Sequence, residues 1–319
     1  MAIETAVDAR VEEARKLNDL IVEVMEGMPS ITSKPAAESR RDRLEGRSAF
    51  PVPEKLDVAE DRVITGRDGH QIGLRCFVPP TVTGVVLHIH GGGWTFGANW
   101  MQDALLWDMA QSANVAVASV EYRLAPEDPY PAGPDDCEDA ACWLVENAFS
   151  EFGSDRLIIA GESAGAHFAA VTLLRLRDRE DCAGAGTFCG AVLTFGCFDL
   201  SWTPSVRRWG SRPLILNEEI MTWFGDQFLP GTSLEERREP DISPLYADLS
   251  LLCPALFLVG TCDPLLDDTL FMEARWRAAG NETSLEVYEE AAHGFIAFPI
   301  SYAAEAKQAI TRFVSGVGA

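Results

Sequence analysis

Basic residues are scarce in this chain. It has 26 Lys and Arg against 49 Asp and Glu, for a formal net charge of −23. Nucleic acid and anionic lipid would both repel such a surface, so neither is expected as a partner. No apolar run is long enough to cross a bilayer. The opening MAIETAVDAR carries Glu4 and Asp8 where a signal peptide would have a basic stretch and then an apolar one. The eight cysteines include no C-x-x-C pair and read as free, mostly buried thiols of a reducing cytoplasm. Internal repeats and low-complexity tracts are lacking too.

What is present is a long globular chain. Its 319 residues, 47% of them hydrophobic, suffice for one large domain or two ordinary ones. Apolar residues at helical spacing between Val7 and Met28 predict an amphipathic helix, and residues 30–55 read as irregular or short-helical. From there a rhythm sets in. A hairpin at Asp68-Gly69 separates strands at 62–65 and 72–78. Apolar runs follow at 85–89, 115–120, 157–160, 191–195, 255–259 and 285–288, with helices expected near 100–112, 135–148, 164–178, 265–279 and 301–315. This alternation predicts an α/β protein with a mostly parallel sheet covered on both faces. Residues 198–250 break it.

Functional groups of such sheets gather where loops leave the carboxyl ends of strands. Those loops here begin HGGGW (90–94), YRLAPE (122–127), GESAG (161–165), CDPL (262–265) and HGF (293–295). A serine, an acid and a histidine, each directly after a strand, follow the chain order of an α/β-hydrolase triad. G-x-S-x-G puts Ser163 on a tight strand-to-helix turn, where side chains at the flanking positions would collide. Serine needs a neighbouring base, His293, and an acid that fixes the imidazole tautomer, Asp263. Asp199 also follows a strand between Ser163 and His293. Asp263 is preferred because it follows the strand immediately before that of His293. Asp267 and Asp268 fall in the first turn of the next helix, where the helix dipole accounts for them. The triple glycine lets main chain approach a substrate closely; no Lys-Ser/Thr follows it, which excludes a P-loop. His88 reads as a core residue facing away from His90, His167 as packing under the elbow and His70 as a surface residue of the hairpin. No metal cluster is expected.

Together HGGGW, YRLAPE, GESAG, DPL and HGF resemble the hormone-sensitive lipase-like branch of the α/β-hydrolases, the bacterial family IV esterases, from about residue 60 to the end. The resemblance implies an α/β-hydrolase fold with a helical cap and a triad of Ser163, Asp263 and His293. It also implies an oxyanion hole from the N–H groups of Gly92, Gly93 and Ala164, with His90 and Gly91 ordering the glycine loop. The cap would comprise residues 1–50 and 198–250, around a catalytic domain split into 51–197 and 251–319. Glu162 stands where the family usually has Asp, and Ala166 where it commonly has Gly. Expected substrates are short-to-medium acyl esters, held against Trp94, Phe96, Trp202, Trp209 and Phe295, with no cofactor. Ser163 to His167 also resembles the elbow of kynurenine formamidase-type amide hydrolases. A non-catalytic receptor on the same fold, like the plant gibberellin receptors, is a third reading, opposed by the presence of His293. A homodimer is left open.

Overall fold

The computed structural model describes residues 2–179, 184 and 186–318, with side chains from residue 9 onward. Eight strands form one sheet: β1 (Glu60–Thr65), β2 (Gln71–Phe77), β3 (Val85–Ile89), β4 (Ala116–Glu121), β5 (Leu157–Glu162), β6 (Phe188–Thr194), β7 (Ala255–Cys262) and β8 (Thr283–Ala292). Their spatial order is β1-β2-β4-β3-β5-β6-β7-β8. The first hairpin is antiparallel, β2 pairs antiparallel with β4, and every later pairing is parallel. The central strands are continuous apolar runs because both faces are covered; VVLHI of β3 is buried throughout. β8, at the edge, leaves Leu285 and Val287 partly exposed.

Helices α1 (Ala2–Glu26), α3 (Asp103–Ala113) and α9 (Ser301–Gly316) cover one face of the sheet. On the other lie α4 (Ala132–Phe152), α5 (Ala164–Arg177) and α8 (Leu266–Ala278). α5 is buried on nearly all sides, consistent with its small residues (AGAHFAA), which let it press against β5. The insertion between β6 and β7 packs on the second layer and carries α6 (Pro204–Trp209) and α7 (Glu218–Phe228). Asn217 caps α7, its Oδ1 accepting the N–H of Ile220 at 2.8 Å.

The N-terminal segment divides its contacts. After α1, a short turn at 31–33 and α2 (Ala36–Leu44) reach the insertion and the glycine loop: Thr32 hydrogen-bonds Glu219, and Arg40 donates to the carbonyl of Thr95 at 2.8 Å. α1 itself lies along the last strand and helix, with Asn18 donating to the Glu290 carbonyl at 2.7 Å and Arg10 paired with Glu305. The end of α1 meets the insertion as well, where Ile21 packs against Leu214 and Met25 Sδ accepts the N–H of Ile215 at 3.2 Å.

Six cysteines are free thiols: Cys76, Cys137, Cys189, Cys197, Cys253 and Cys262. Cys142, on α4, is disulfide-bonded, which corrects the expectation of eight reduced thiols. Spacing along the chain carries no signal for a bond that tertiary contact makes. Cys182 lies outside the described residues. Among those residues no helix is long and apolar enough to cross a membrane.

Candidate active site

The sheet order places the chemistry. β3 has β4 on one side and β5 on the other, so successive connections leave it in opposite directions and open a crevice at the carboxyl ends. Ile89 and Gly161 pair in register, and the loops that follow them, HGGGW and GESAG, emerge side by side.

Ser163 sits at the turn from β5 into α5 with φ 55° and ψ −120°, a left-handed conformation that costs a non-glycine residue about 1–3 kcal/mol. Hydrogen bonds on both sides hold it there: its N–H donates to Thr194 O at 2.9 Å, and its carbonyl accepts from His167 N–H at 3.1 Å. The helix can begin this close to the sheet because Gly165 has no side chain. A Cβ there would lie 1.9 Å from the carbonyl oxygen of Ile89. Gly165→Ala must push main chain apart, so we expect at least about 3 kcal/mol of lost stability, at the upper end of overpacking costs. A lower melting temperature in calorimetry, together with at least a hundredfold loss of hydrolysis, would be the result; an unchanged melting temperature would contradict it.

β7 and β8 end beside the elbow. His293 Nε2 lies 3.0 Å from Ser163 Oγ, and His293 Nδ1 lies 2.8 Å from Asp263 Oδ2. The other Asp263 oxygen accepts the N–H of Leu265 at 2.8 Å, which fixes the carboxylate. Both Asp263 and His293 are buried. Asp199 is turned elsewhere: its carboxylate accepts from the Ser201 N–H and hydroxyl at 2.8 and 2.6 Å and from Tyr246 at 3.0 Å. Asp267 and Asp268 do more than meet a helix dipole. Asp267 accepts the N–H of Ser205 at 2.8 Å, while Asp268 receives those of Phe198 and Asp199 at 2.7 and 2.9 Å and the Thr203 hydroxyl at 2.6 Å. They moor the start of the insertion to α8, and burial pushes the Asp268 carboxyl up to about 7.

In the glycine loop, His90 stacks on Tyr122 with ring centroids 4.2 Å apart and donates Nδ1–H to the Gly91 carbonyl at 2.8 Å. Burial lowers its pKa to about 4, so the ring is neutral at ordinary pH. Tyr122 also donates its hydroxyl to the His90 carbonyl at 2.8 Å. Glu162 receives the Gly91 N–H at 2.8 Å. Among the described residues, none of the N–H groups of Gly92, Gly93 and Ala164 donates to a backbone carbonyl. These three main-chain N–H groups are thus not taken up by turns or secondary structure.

A family described by the α/β-hydrolase fold matches residues 86–297, about two-thirds of the chain. The chain belongs to the α/β-hydrolase family. This hydrolase is 34% identical over 271 residues to the ethyl acetate hydrolase of Pseudomonas putida, spanning 82% of this chain and 83% of that one. It is 33% identical to carboxylesterase NlhH of Mycobacterium tuberculosis, over 87% and 88% of the two chains. Among solved structures, an esterase of the archaeon Pyrobaculum calidifontis superposes with a TM-score of 0.82 at 28% identity, covering 94% of this chain and 96% of the other. A hormone-sensitive lipase from a metagenome library gives 0.81 at 26% identity, covering 95% and 97%. The hydrolase falls in the hormone-sensitive lipase-like branch that its motifs resemble.

The aromatic residues of this hydrolase divide differently from the sequence-based expectation. Phe96 lies over the glycine loop, stacked on Trp223 at 5.8 Å and edge-on to Phe224 at 5.6 Å. Phe224, from α7, approaches so closely that a Cβ on Gly93 would fall 2.5 Å from its ring. Trp202 is half-buried against α7, and Trp209 packs in a small cluster with Ile21, Leu214 and Ala292. Trp94 and Phe295 are not placed as pocket walls. Trp94 is 2% exposed, stacked on Phe228 and donating Nε1–H to His167 Nδ1 at 2.9 Å. Phe295 is fully buried between Phe195 and Tyr288. Each is the last residue of its loop motif in sequence, but the chain turns there and sends the ring into the core. His167 sits under the elbow as expected, its pKa lowered by burial to about 4. His70 is tied to Asp136 at 2.7 Å rather than free in the hairpin. Tyr122 was marked only as the start of the YRLAPE motif, and Gln102 had no local signal that set it apart.

Proposed function

We propose that this carboxylic ester hydrolase works through Ser163, His293 and Asp263. The Ser163 hydroxyl attacks the ester carbonyl while His293 Nε2 takes its proton, and Asp263 holds the Nδ1–H and stabilises the imidazolium. The carbonyl oxygen, now anionic, receives the N–H groups of Gly92, Gly93 and Ala164. Each such donor is typically worth about a hundred- to a thousand-fold in rate. His293 returns the proton to the departing alcohol, leaving an acyl-serine. Water then attacks the acyl carbon as His293 takes its proton, and His293 passes that proton to Ser163 Oγ as the acid leaves.

The observation that carries this reading is the unbroken hydrogen-bond sequence from Ser163 Oγ through both nitrogens of His293 to Asp263, at 3.0 and 2.8 Å. It favours catalysis over a receptor role, since a binding pocket needs no base aligned on a strained serine. The esterases among its relatives, matched over most of the chain, support an ester as the substrate. The ring cluster of Phe96, Trp223 and Phe224 over the glycine loop supports short-to-medium acyl chains, because it bounds the space beside the donors.

Exposure to a small alkyl phosphonate, followed by intact-mass and peptide mapping, tests the reading without a guess at the substrate. One adduct, on Ser163, is expected. A panel of p-nitrophenyl esters and matching anilides should then show faster turnover of the esters, with butyrate ahead of palmitate. No adduct, an adduct elsewhere, or faster cleavage of the anilides would overturn it.

A further inference from the structure

One carboxylate joins the two halves of the site. Glu162 directly precedes Ser163, yet its side chain leaves the elbow for the neighbouring loop. Its Oε1 receives the N–H of Gly91 at 2.8 Å and the side-chain amide of Gln102. Its Oε2 lies 3.0 Å from His88 Nε2, and His88 Nδ1 lies 2.9 Å from Ser119 Oγ on β4. Strand alternation would put His88 and His90 on one face of β3. The strand ends at Ile89, however, so His90 turns away to stack on Tyr122 and His88 alone meets Glu162.

Hydrogen bonds, more than packing, set where this carboxylate sits. The pair faces a cavity of about 40 Å³, shared with Leu105, Met109 and Lys307 from α3 and α9. Burial pushes the Glu162 carboxyl up, but His88, Gly91 and Gln102 together outweigh it and hold the group below its ordinary value. An anion accepting several donors makes stronger, more directional bonds than a neutral acid. The longer side chain of Glu, where the family usually has Asp, gives the carboxylate reach to both loops.

We infer that His88, acting through Glu162, is a positioning residue for the oxyanion loop. The imidazole orients the carboxylate, the carboxylate holds the Gly91 N–H, and the peptides of Gly92 and Gly93 take their direction from that anchored unit. The inference rests on the ester hydrolysis proposed at Ser163. The donors it aligns are used only once charge develops on the carbonyl oxygen, so its loss lowers kcat and leaves KM nearly untouched.

The test compares His88→Phe, which keeps bulk but no hydrogen bond, with His88→Gln, whose amide can reach Glu162. Hydrolysis of p-nitrophenyl butyrate and inhibition by a trifluoromethyl ketone, which forms an oxyanion on Ser163, are measured on both. For His88→Phe, kcat is expected to fall about ten- to a hundredfold, with KM within about twofold and ketone inhibition weakened by the same factor as kcat. His88→Gln should recover to within about threefold of the parent. Equal losses in both variants, a kcat for His88→Phe close to the parent's, or a rise in KM alone would overturn the inference. If His88→Phe fails to fold, His88→Asn replaces it: the amide meets Ser119 but is too short for Glu162, and an unchanged kcat is then the overturning result. A parent protein that turns over no ester marks instead the failure of the Ser163 reading, and the positioning role falls with it.

Discussion

Ser163→Ala is expected to lower kcat for ester hydrolysis by about a million-fold, the scale seen when the nucleophile of a serine-histidine-aspartate unit is removed. His293→Ala should lose about as much, and the double variant no more than either single one, because serine and histidine act as a unit. The geometry is the reason. With His293 Nε2 3.0 Å from Ser163 Oγ, proton removal and nucleophilic attack are one event, and either loss abolishes it. A slow residual rate, from the main-chain donors and from substrate binding, should survive all three substitutions. Stopped-flow and long-incubation assays of the purified variants with p-nitrophenyl butyrate would measure it. Additive losses, with the double variant far below both singles, would show that the two residues do not act together.

The second large effect separates two aspartates. Asp263→Asn should reduce kcat about ten-thousandfold, since an amide in place of Oδ2 favours the wrong imidazole tautomer while leaving the site's shape intact. Asp199→Asn should leave kcat within about tenfold of the parent and act on stability instead. Its carboxylate accepts two bonds from Ser201 and one from Tyr246 at the base of the insertion, each worth on the order of 1 kcal/mol or more. Steady-state kinetics beside thermal melts would resolve the pair. The reverse pattern, with Asp199→Asn losing activity and Asp263→Asn only stability, would move the acid to Asp199.

The insertion reaches the glycine loop from above through Phe224, while Asp267 and Asp268 hold its root on α8. The helix that follows the Asp263 loop thus also anchors the segment that reaches the glycine loop. This links packing on α8 to the shape of the site.

Much of this was legible in the residues alone, and the reason is that it is local. A buried parallel strand is a short apolar run whatever its neighbours. All eight strands and the helices between them lie within a few residues of where hydropathy put them. G-x-S-x-G marks the elbow because the steric demand arises within five residues. The order of serine, acid and histidine could likewise be read from the ends of the runs. Tertiary structure decided what depends on residues far apart in the chain. The order β4-β3-β5 brings the glycine loop beside the elbow, and the pairing of β7 with β8 brings Asp263 to His293, 30 positions on. Whether an aromatic residue lines a pocket or fills the core depends on what packs against it: Trp94 and Phe295 are buried in the core, while Trp223 and Phe224 meet Phe96. Cys142 found a disulfide that no spacing announced. His88 looked like core for the same reason: its partner, Glu162, is 74 residues away, and only the pairing of β3 with β5 brings them together.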